Sequence, residues 1–461
     1  MKRLLLLALA LLGPLASEEI VQTAHENGSF SYTATVGSLP VRKGEEQTAD
    51  IFYIFYRKAG AEARRPITFC FNGGPGCSSV WLHMQAFGPK RVLSPEEGQS
   101  LAPPYQLIEN ADSILDLTDL VFVDPVGTGL SRPKGEGSSF YDMDGDIESL
   151  GDFIYDFVTR EGRWNSPKYL AGESYGGLRV CGLSNYLLSR HYLFLNGVIL
   201  IAPAIDYQTF RCNRDKELAY ALYLPSFAAT AWYHGRLPHL SLEEVVFYAR
   251  EFALGTFGAE LLKNGSLPER LYEEVAAWTG LPLHVVRQER GLISEGTFFN
   301  HFGASQNKSI GRFDSRWSGE RLPGSSRFEF FDPSFVRVFG LATAALHDYL
   351  YYDLNYKAEW PRYEILSHDV NRQWNFDCSG FPNQLEALRQ ALLTNPEMRV
   401  FAACGYFDLA IPFATVEHCL KRLHLPSAQV SLGYYEGGHM FYTNPAALRQ
   451  FKMDLQKFYT R

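Results

Sequence analysis

The chain has 461 residues, of which 46% are hydrophobic and 20% charged, and its formal net charge is −8. That length suits a large core with an insertion, or two domains, and the composition is ordinary for a globular protein. The negative balance and the lack of any strongly basic run argue against a nucleic-acid partner and against recruitment to an anionic membrane, since both need clustered positive charge.

The chain opens with Lys2 and Arg3, an apolar run from Leu4 to Leu12, and then Gly13, Pro14, Leu15, Ala16 and Ser17. A positive start, a short apolar stretch and small residues mark an export signal. Residues 1–17 are therefore read as a signal peptide, and the mature chain as a secreted or periplasmic protein with no membrane attachment after cleavage. The run falls short of the about 20 apolar residues that span a bilayer; an N-terminal helix buried in the core is the alternative. Export bears on the seven cysteines, Cys70, Cys77, Cys181, Cys212, Cys378, Cys404 and Cys419, which show neither CxxC pairs nor metal-finger spacing. In an oxidising compartment disulfides are open to some of them, and an odd count leaves at least one free in a monomer.

Farther along, Phe30 to Val36 and Asp50 to Arg57 are rich in Thr, Ile, Phe and Tyr and read as an opening antiparallel hairpin. Short continuous apolar runs at Ile67 to Phe71, Leu120 to Val123 and Gly197 to Ile201 suit strands buried on both faces. Between them, Ile147, Leu150, Phe153, Ile154, Phe157 and Val158 recur at helical spacing. A last pair of strands is expected at Arg399 to Cys404 and Gln429 to Tyr435, before a closing helix from Pro445 to Phe458. This alternation points to an α/β fold, a mostly parallel sheet with helices on both faces. From Asp206 to Ser367 the pattern is aromatic-rich and mainly helical, with Glu243 to Leu254 and Pro333 to Tyr352 as its best helices and Gly303 to Ser326 as a loop. The organisation read from this is a core over residues 18–205 and 368–461, interrupted by an inserted cap over 206–367.

The chemistry starts at Gly172-Glu173-Ser174-Tyr175-Gly176, a G-x-S-x-G segment between a strand end (Tyr169 to Ala171) and a helix (Leu178 to Leu188). Such a nucleophile elbow lifts a serine out of a tight turn, and its glycines are needed where the backbone folds back on itself. The helix N-terminus beyond it favours a developing oxyanion. A second patch, Asn72-Gly73-Gly74-Pro75-Gly76-Cys77-Ser78-Ser79, directly follows a strand, where such enzymes place the other half of the oxyanion hole. A phosphate cradle fits it poorly, because no G-K-[ST] follows. Downstream, in the order Ser, Asp, His, Asp408 follows one late strand and His439, in Gly437-Gly438-His439-Met440, follows the next. Catalytic groups in α/β sheets collect at that edge. Asp377 is the main competitor for the acid, but it precedes the strand.

The loop at Asn72 to Ser79 and the elbow at Gly172 to Gly177 resemble, nearly letter for letter, the signatures of the serine carboxypeptidases, and Val121 to Gly129 and Gly437 to Met440 extend the likeness. The resemblance implies an α/β-hydrolase fold and removal of residues from peptide C-termini through an acyl-enzyme, favoured in acid, with no metal or organic cofactor. Its partners would be peptides with a free C-terminus. Ser174, Asp408 and His439 would form the triad, and the N–H groups of Gly74 and Tyr175 the oxyanion hole. Asn72, Gly73 and Glu173 would bind the substrate's terminal carboxylate. Family members commonly carry a second glutamate before the Gly-Pro after the glycine loop; here Ala86 stands there, leaving Gln85 or Glu436 as possible substitutes. An esterase or acyltransferase on the same scaffold, or a binding protein that has lost activity, are the competing readings.

Overall fold

The computed structural model describes residues 20–28, 30–94, 102–213, 217–320, 332–357, 362–378, 380–426 and 428–460. The segment read as a signal peptide lies outside them. Strands Ile67–Phe71, Asp119–Val123 and Gly197–Ile201 are buried at every residue. Their apolar runs are continuous because helices cover both faces of the sheet. Successive residues of one strand face opposite cores: Phe69 and Phe71 pack with helix Met143–Arg160, while Cys70 packs on the side of the closing helix Pro445–Thr460.

Across the main sheet the order is Val21–Asn27, Phe30–Lys43, Glu46–Lys58, Asp119–Val123, Ile67–Phe71, Lys168–Glu173, Gly197–Ile201, Arg399–Gly405 and Val430–Tyr435, with Arg132–Pro133 pairing beside Glu46–Lys58. The strands up to the Glu46–Lys58 to Asp119–Val123 pair are antiparallel, and all later pairs are parallel. The hairpin is longer than its sequence pattern, and Val21–Asn27 is an added edge strand whose alternately exposed, polar residues gave no strand signal.

Strand Ile67–Phe71 lies between Asp119–Val123 and Lys168–Glu173, so the chain reverses its direction of travel across the sheet at this point. Such a switch opens a crevice beyond the strand C-termini. Phe71 pairs with Gly172 at that edge, which brings the glycine loop and the elbow side by side.

The chain leaves the sheet at Ile201 and re-enters at Arg399, on the strand that pairs directly with Gly197–Ile201. The excursion holds helices Leu218–Tyr233, Leu242–Phe252 and Pro333–Asp348. Leu242–Phe252 starts on a capping box, in which Ser241 and Glu244 satisfy each other's backbone amides. The stretch expected to be a loop contains a small antiparallel pair, Lys308–Ile310 with Ser318–Glu320. Strands of three residues are too short to leave a period in the sequence. All seven cysteines are unpaired, so the disulfides open to them are not formed. Cys70, Cys181 and Cys404 serve as small apolar core side chains, and burial pushes their thiols up.

Candidate active site

Ser174 stands between strand Lys168–Glu173 and helix Tyr175–His191 with φ 60° and ψ −123°, outside the regions an L-residue normally occupies. Neighbouring strands hold it there: its N–H donates to Ile201 O at 3.0 Å, and its carbonyl accepts from Ala204 N–H at 2.9 Å. The glycines are dictated by contact. A Cβ at Gly172 would lie 2.0 Å from Gly176 O, and one at Gly177 would lie 2.3 Å from Pro203 Cβ. Backbone strain of this kind persists only where the surroundings over-determine it, and it concentrates at functional sites. The Ser174 side chain caps nothing in its own helix and has no hydrogen-bond partner among the described residues. Serine–histidine contacts are often long without substrate and tighten in the complex.

The glycine loop abuts the elbow. A Cβ at Gly73 would meet Tyr175 N at 2.5 Å, and Gly74 and Gly76 take φ of +103° and +97°. Asn72 Oδ1 accepts from Leu82 N–H, and its carbonyl accepts from Arg179 Nη1 at 2.5 Å. Arg179, fully buried, is in turn held by Asp146 through Nε–Oδ2 at 2.7 Å and Nη2–Oδ1 at 3.1 Å. A buried pair of this kind is costly to break, because either charge alone would be left uncompensated. From the excursion, Asn371 Nδ2 donates to Pro75 O and Ser367 N–H to Gly76 O, which ties the outer side of the loop down.

Asp408 and His439 meet where the sequence order places them, just past strands Arg399–Gly405 and Val430–Tyr435. Asp408 Oδ2 lies 2.7 Å from His439 Nδ1, and its Oδ1 accepts from Ala410 N–H at 2.7 Å and Ile411 N–H at 2.9 Å. Both side chains are buried. Burial by itself disfavours the imidazolium, but the Asp408 charge and hydrogen bond, with Glu173, outweigh it and leave His439 above its ordinary pKa. Asp377 is excluded from this cluster: it is exposed, and its N–H donates to Asn375.

A strap from the excursion moulds both loops. Leu409 N–H donates to Arg312 O at 3.0 Å, Ser315 N–H to Phe407 O at 3.0 Å, and His439 N–H to Phe313 O at 2.5 Å. Gly438 N–H donates to Asp314 Oδ2, which Arg316 also holds at 2.7 Å. The approach is so close that a Cβ at Gly438 would lie 2.0 Å from Phe313 O.

Glu173 points into the same buried space. Its Oε2 accepts from Asn72 Nδ2 at 2.6 Å and from the Tyr442 hydroxyl at 2.7 Å. Burial pushes its pKa up to about 7, against the pull of His439, Tyr442 and Asn72, with Asp408 adding to the rise. Neither substitute expected for the missing second glutamate reaches it. Gln85 is buried with both amide atoms unpartnered among the described residues, and Glu436 is exposed, with only its carbonyl engaged, by Asn444.

The folded chain thus keeps the Glu173 proton at pH values where an unfolded chain, at the ordinary 4.5, has released it. This raised pKa stabilises the fold below 4.5, and the contribution is lost as pH rises to about 7. His439, also raised, acts in the same direction. Glu173→Gln, neutral throughout, should flatten the fall in unfolding free energy between pH 4.5 and 8 by on the order of 3 kcal/mol, read from denaturant melts at each pH. An unchanged slope would mean that Glu173 is ionised in the folded chain.

An open, mostly parallel sheet with a serine elbow, a glycine loop and an Asp–His pair at its C-terminal edge is the α/β-hydrolase fold. A family model described as serine carboxypeptidase matches residues 27–240. Similar proteins include Serine carboxypeptidase-like 10 of Arabidopsis thaliana, 26% identical over 238 residues, which are 49% of this chain and 52% of that one. Carboxypeptidase Y homolog of Arthroderma benhamiae is 28% identical over 38% of this chain and 33% of its own length. The chain therefore spans about half or less of the curated relatives it matches. Among solved structures, KEX1(DELTA)P, a prohormone-processing carboxypeptidase from Saccharomyces cerevisiae, superposes with a TM-score of 0.57 at 15% identity, covering 94% of this chain and 91% of that one, a likeness of fold. Among the described residues no helix is long and apolar enough to cross a membrane.

Proposed function

We propose that the protein is a serine-type carboxypeptidase that releases residues from the C-terminus of peptides through an acyl-enzyme. In this reading Ser174 Oγ attacks the last peptide carbonyl while His439 Nε2 takes its proton. Asp408 fixes the proton on Nδ1 and stabilises the imidazolium. The N–H groups of Gly74 and Tyr175 receive the oxyanion, and His439 returns the proton to the leaving amine. Water then cleaves the ester by the same route. Residues 206–367 would form the cap over this site, and export through residues 1–17 belongs to the same reading. A cavity of about 750 Å³, lined by Tyr207, Tyr220, Leu292, Phe376 and Arg211 among others, is a candidate side-chain subsite. Tyr207 follows closely on Ala204, which binds the Ser174 carbonyl.

The observation that carries exopeptidase action over plain ester hydrolysis is Glu173, a buried carboxyl beside the elbow, hydrogen-bonded to Asn72. Protonated, it donates to a substrate carboxylate; ionised, it repels one. His439 must be unprotonated and Glu173 protonated, so kcat/KM for free-acid peptides should be bell-shaped, with its descending limb near the Glu173 value of about 7. Peptides amidated at the C-terminus should react at least tenfold more slowly below that limb, a difference of about 1.4 kcal/mol or more. Equal turnover of free-acid, amidated and ester substrates would transfer the assignment to an esterase.

A further inference from the structure

Glu173 is not served by a second carboxylic acid. Ala86 stands where the resemblance puts one, and its backbone carbonyl is taken by Asn110 Nδ2 at 2.8 Å. Instead a phenol reaches Glu173, that of Tyr442, whose hydroxyl donates to Oε2 at 2.7 Å. Tyr442 lies three residues beyond His439, in the short turn Phe441–Thr443, and is buried. Its ring is fixed between neighbours, including Phe441 at 5.7 Å between ring centroids. Both donors to Glu173, Asn72 Nδ2 and Tyr442 OH, converge on one oxygen, Oε2. Oε1 receives no donor among the described residues.

We propose that Tyr442 takes over the task of the missing acid as a positioning and specificity residue: by engaging Oε2 together with Asn72, it directs the Glu173 proton to Oε1, the atom that meets the substrate's terminal carboxylate. This rests on the carboxypeptidase reading above. The chemistry is consistent in each part. A carboxylic acid holds its proton on one oxygen and accepts on the other, so two donors on Oε2 leave Oε1 as the hydroxyl. A second carboxylic acid would exchange protons with Glu173 and could itself ionise. A buried phenol does neither, since burial pushes the Tyr442 hydroxyl well above its ordinary range and it stays a donor throughout. The other titratable groups that face Glu173 are His439, Asp408 and Cys77. Of these Asp408 is engaged with His439, and Cys77 stays a neutral thiol with its pKa pushed up.

The test is Tyr442→Phe, which removes the hydroxyl and leaves the ring to pack. Its loss frees Glu173 from a donor that favours the ionised form, so the Glu173 midpoint should move up by about one pH unit. That midpoint is followed by the infrared band of its protonated carboxyl, identified by its absence in Glu173→Gln. KM for free-acid dipeptides should rise about tenfold below the limb with kcat little changed, because orientation for binding is lost. A purely structural tyrosine would lower the melting temperature without moving the infrared midpoint. An unmoved midpoint, with KM unchanged, overturns the Tyr442 assignment alone. Wild-type enzyme that fails to distinguish free-acid from amidated peptides overturns the carboxypeptidase reading itself, and the infrared result still decides whether Tyr442 holds Glu173.

Discussion

Ser174→Ala should abolish turnover, with kcat falling on the order of 10⁴-fold or more if the triad acts as a unit, while the melting temperature stays near wild type. The side chain makes no hydrogen bond that the fold would miss, and the methyl group of alanine fits where the serine Cβ already sits. The unusual φ of 60° is enforced by the Ile201 and Ala204 backbone bonds, which the substitution keeps. A fluorophosphonate probe should label the wild-type chain at Ser174 and leave the variant unlabelled. Labelling that persists in the variant would assign the nucleophile elsewhere.

Asp408→Asn tests the other end of the relay and separates charge from shape. Asparagine can still accept from Ala410 and Ile411 through Oδ1, so the loop should keep its form. The amide nitrogen would then face His439 Nδ1, where Asp408 Oδ2 now sits at 2.7 Å. An N–H opposite Nδ1 selects the imidazole tautomer whose proton is on Nε2, and that nitrogen can no longer accept the serine proton. A loss of about 10⁴-fold in kcat is expected, by analogy with other triads. The imidazole should also titrate lower, because the carboxylate that raises it is gone. A variant that keeps near-normal kcat would show that Asp408 is structural.

Much of this arrangement was legible in the sequence, for a definite physical reason. Buried parallel strands are continuous apolar runs, and the turns at their ends need glycine, so Ile67 to Phe71 with the loop behind it announces itself locally. Asp408 could be found because it follows such a run, and His439 because a glycine-flanked loop carries it after the partly buried edge strand Val430–Tyr435. What escaped is joined across the chain. Tyr442 and Glu173 are 269 positions apart, Asp314 and Gly438 are 124 apart, and the Arg179–Asp146 pair spans 33. No period or spacing records such contacts. Arg179 alone left a trace, as a cation in an otherwise apolar stretch of the elbow helix, while Tyr442 reads as one more core aromatic.

The strap at Arg312 to Ser315 has a consequence for how such a scaffold can change. The excursion between Ile201 and Arg399 is where substrate preference would be expected to drift, since it lies outside the sheet. Yet one of its segments is the mould in which the histidine loop is cast, through Phe313 O, Asp314 and the clearance left at Gly438. On the carboxypeptidase reading, substrate preference and the histidine loop would therefore depend on one piece of chain. A chimaera that exchanges the whole excursion for a relative's would exchange that mould along with the pocket walls. Transplants cut on either side of residues 311–317 would let the walls vary while the mould stays native.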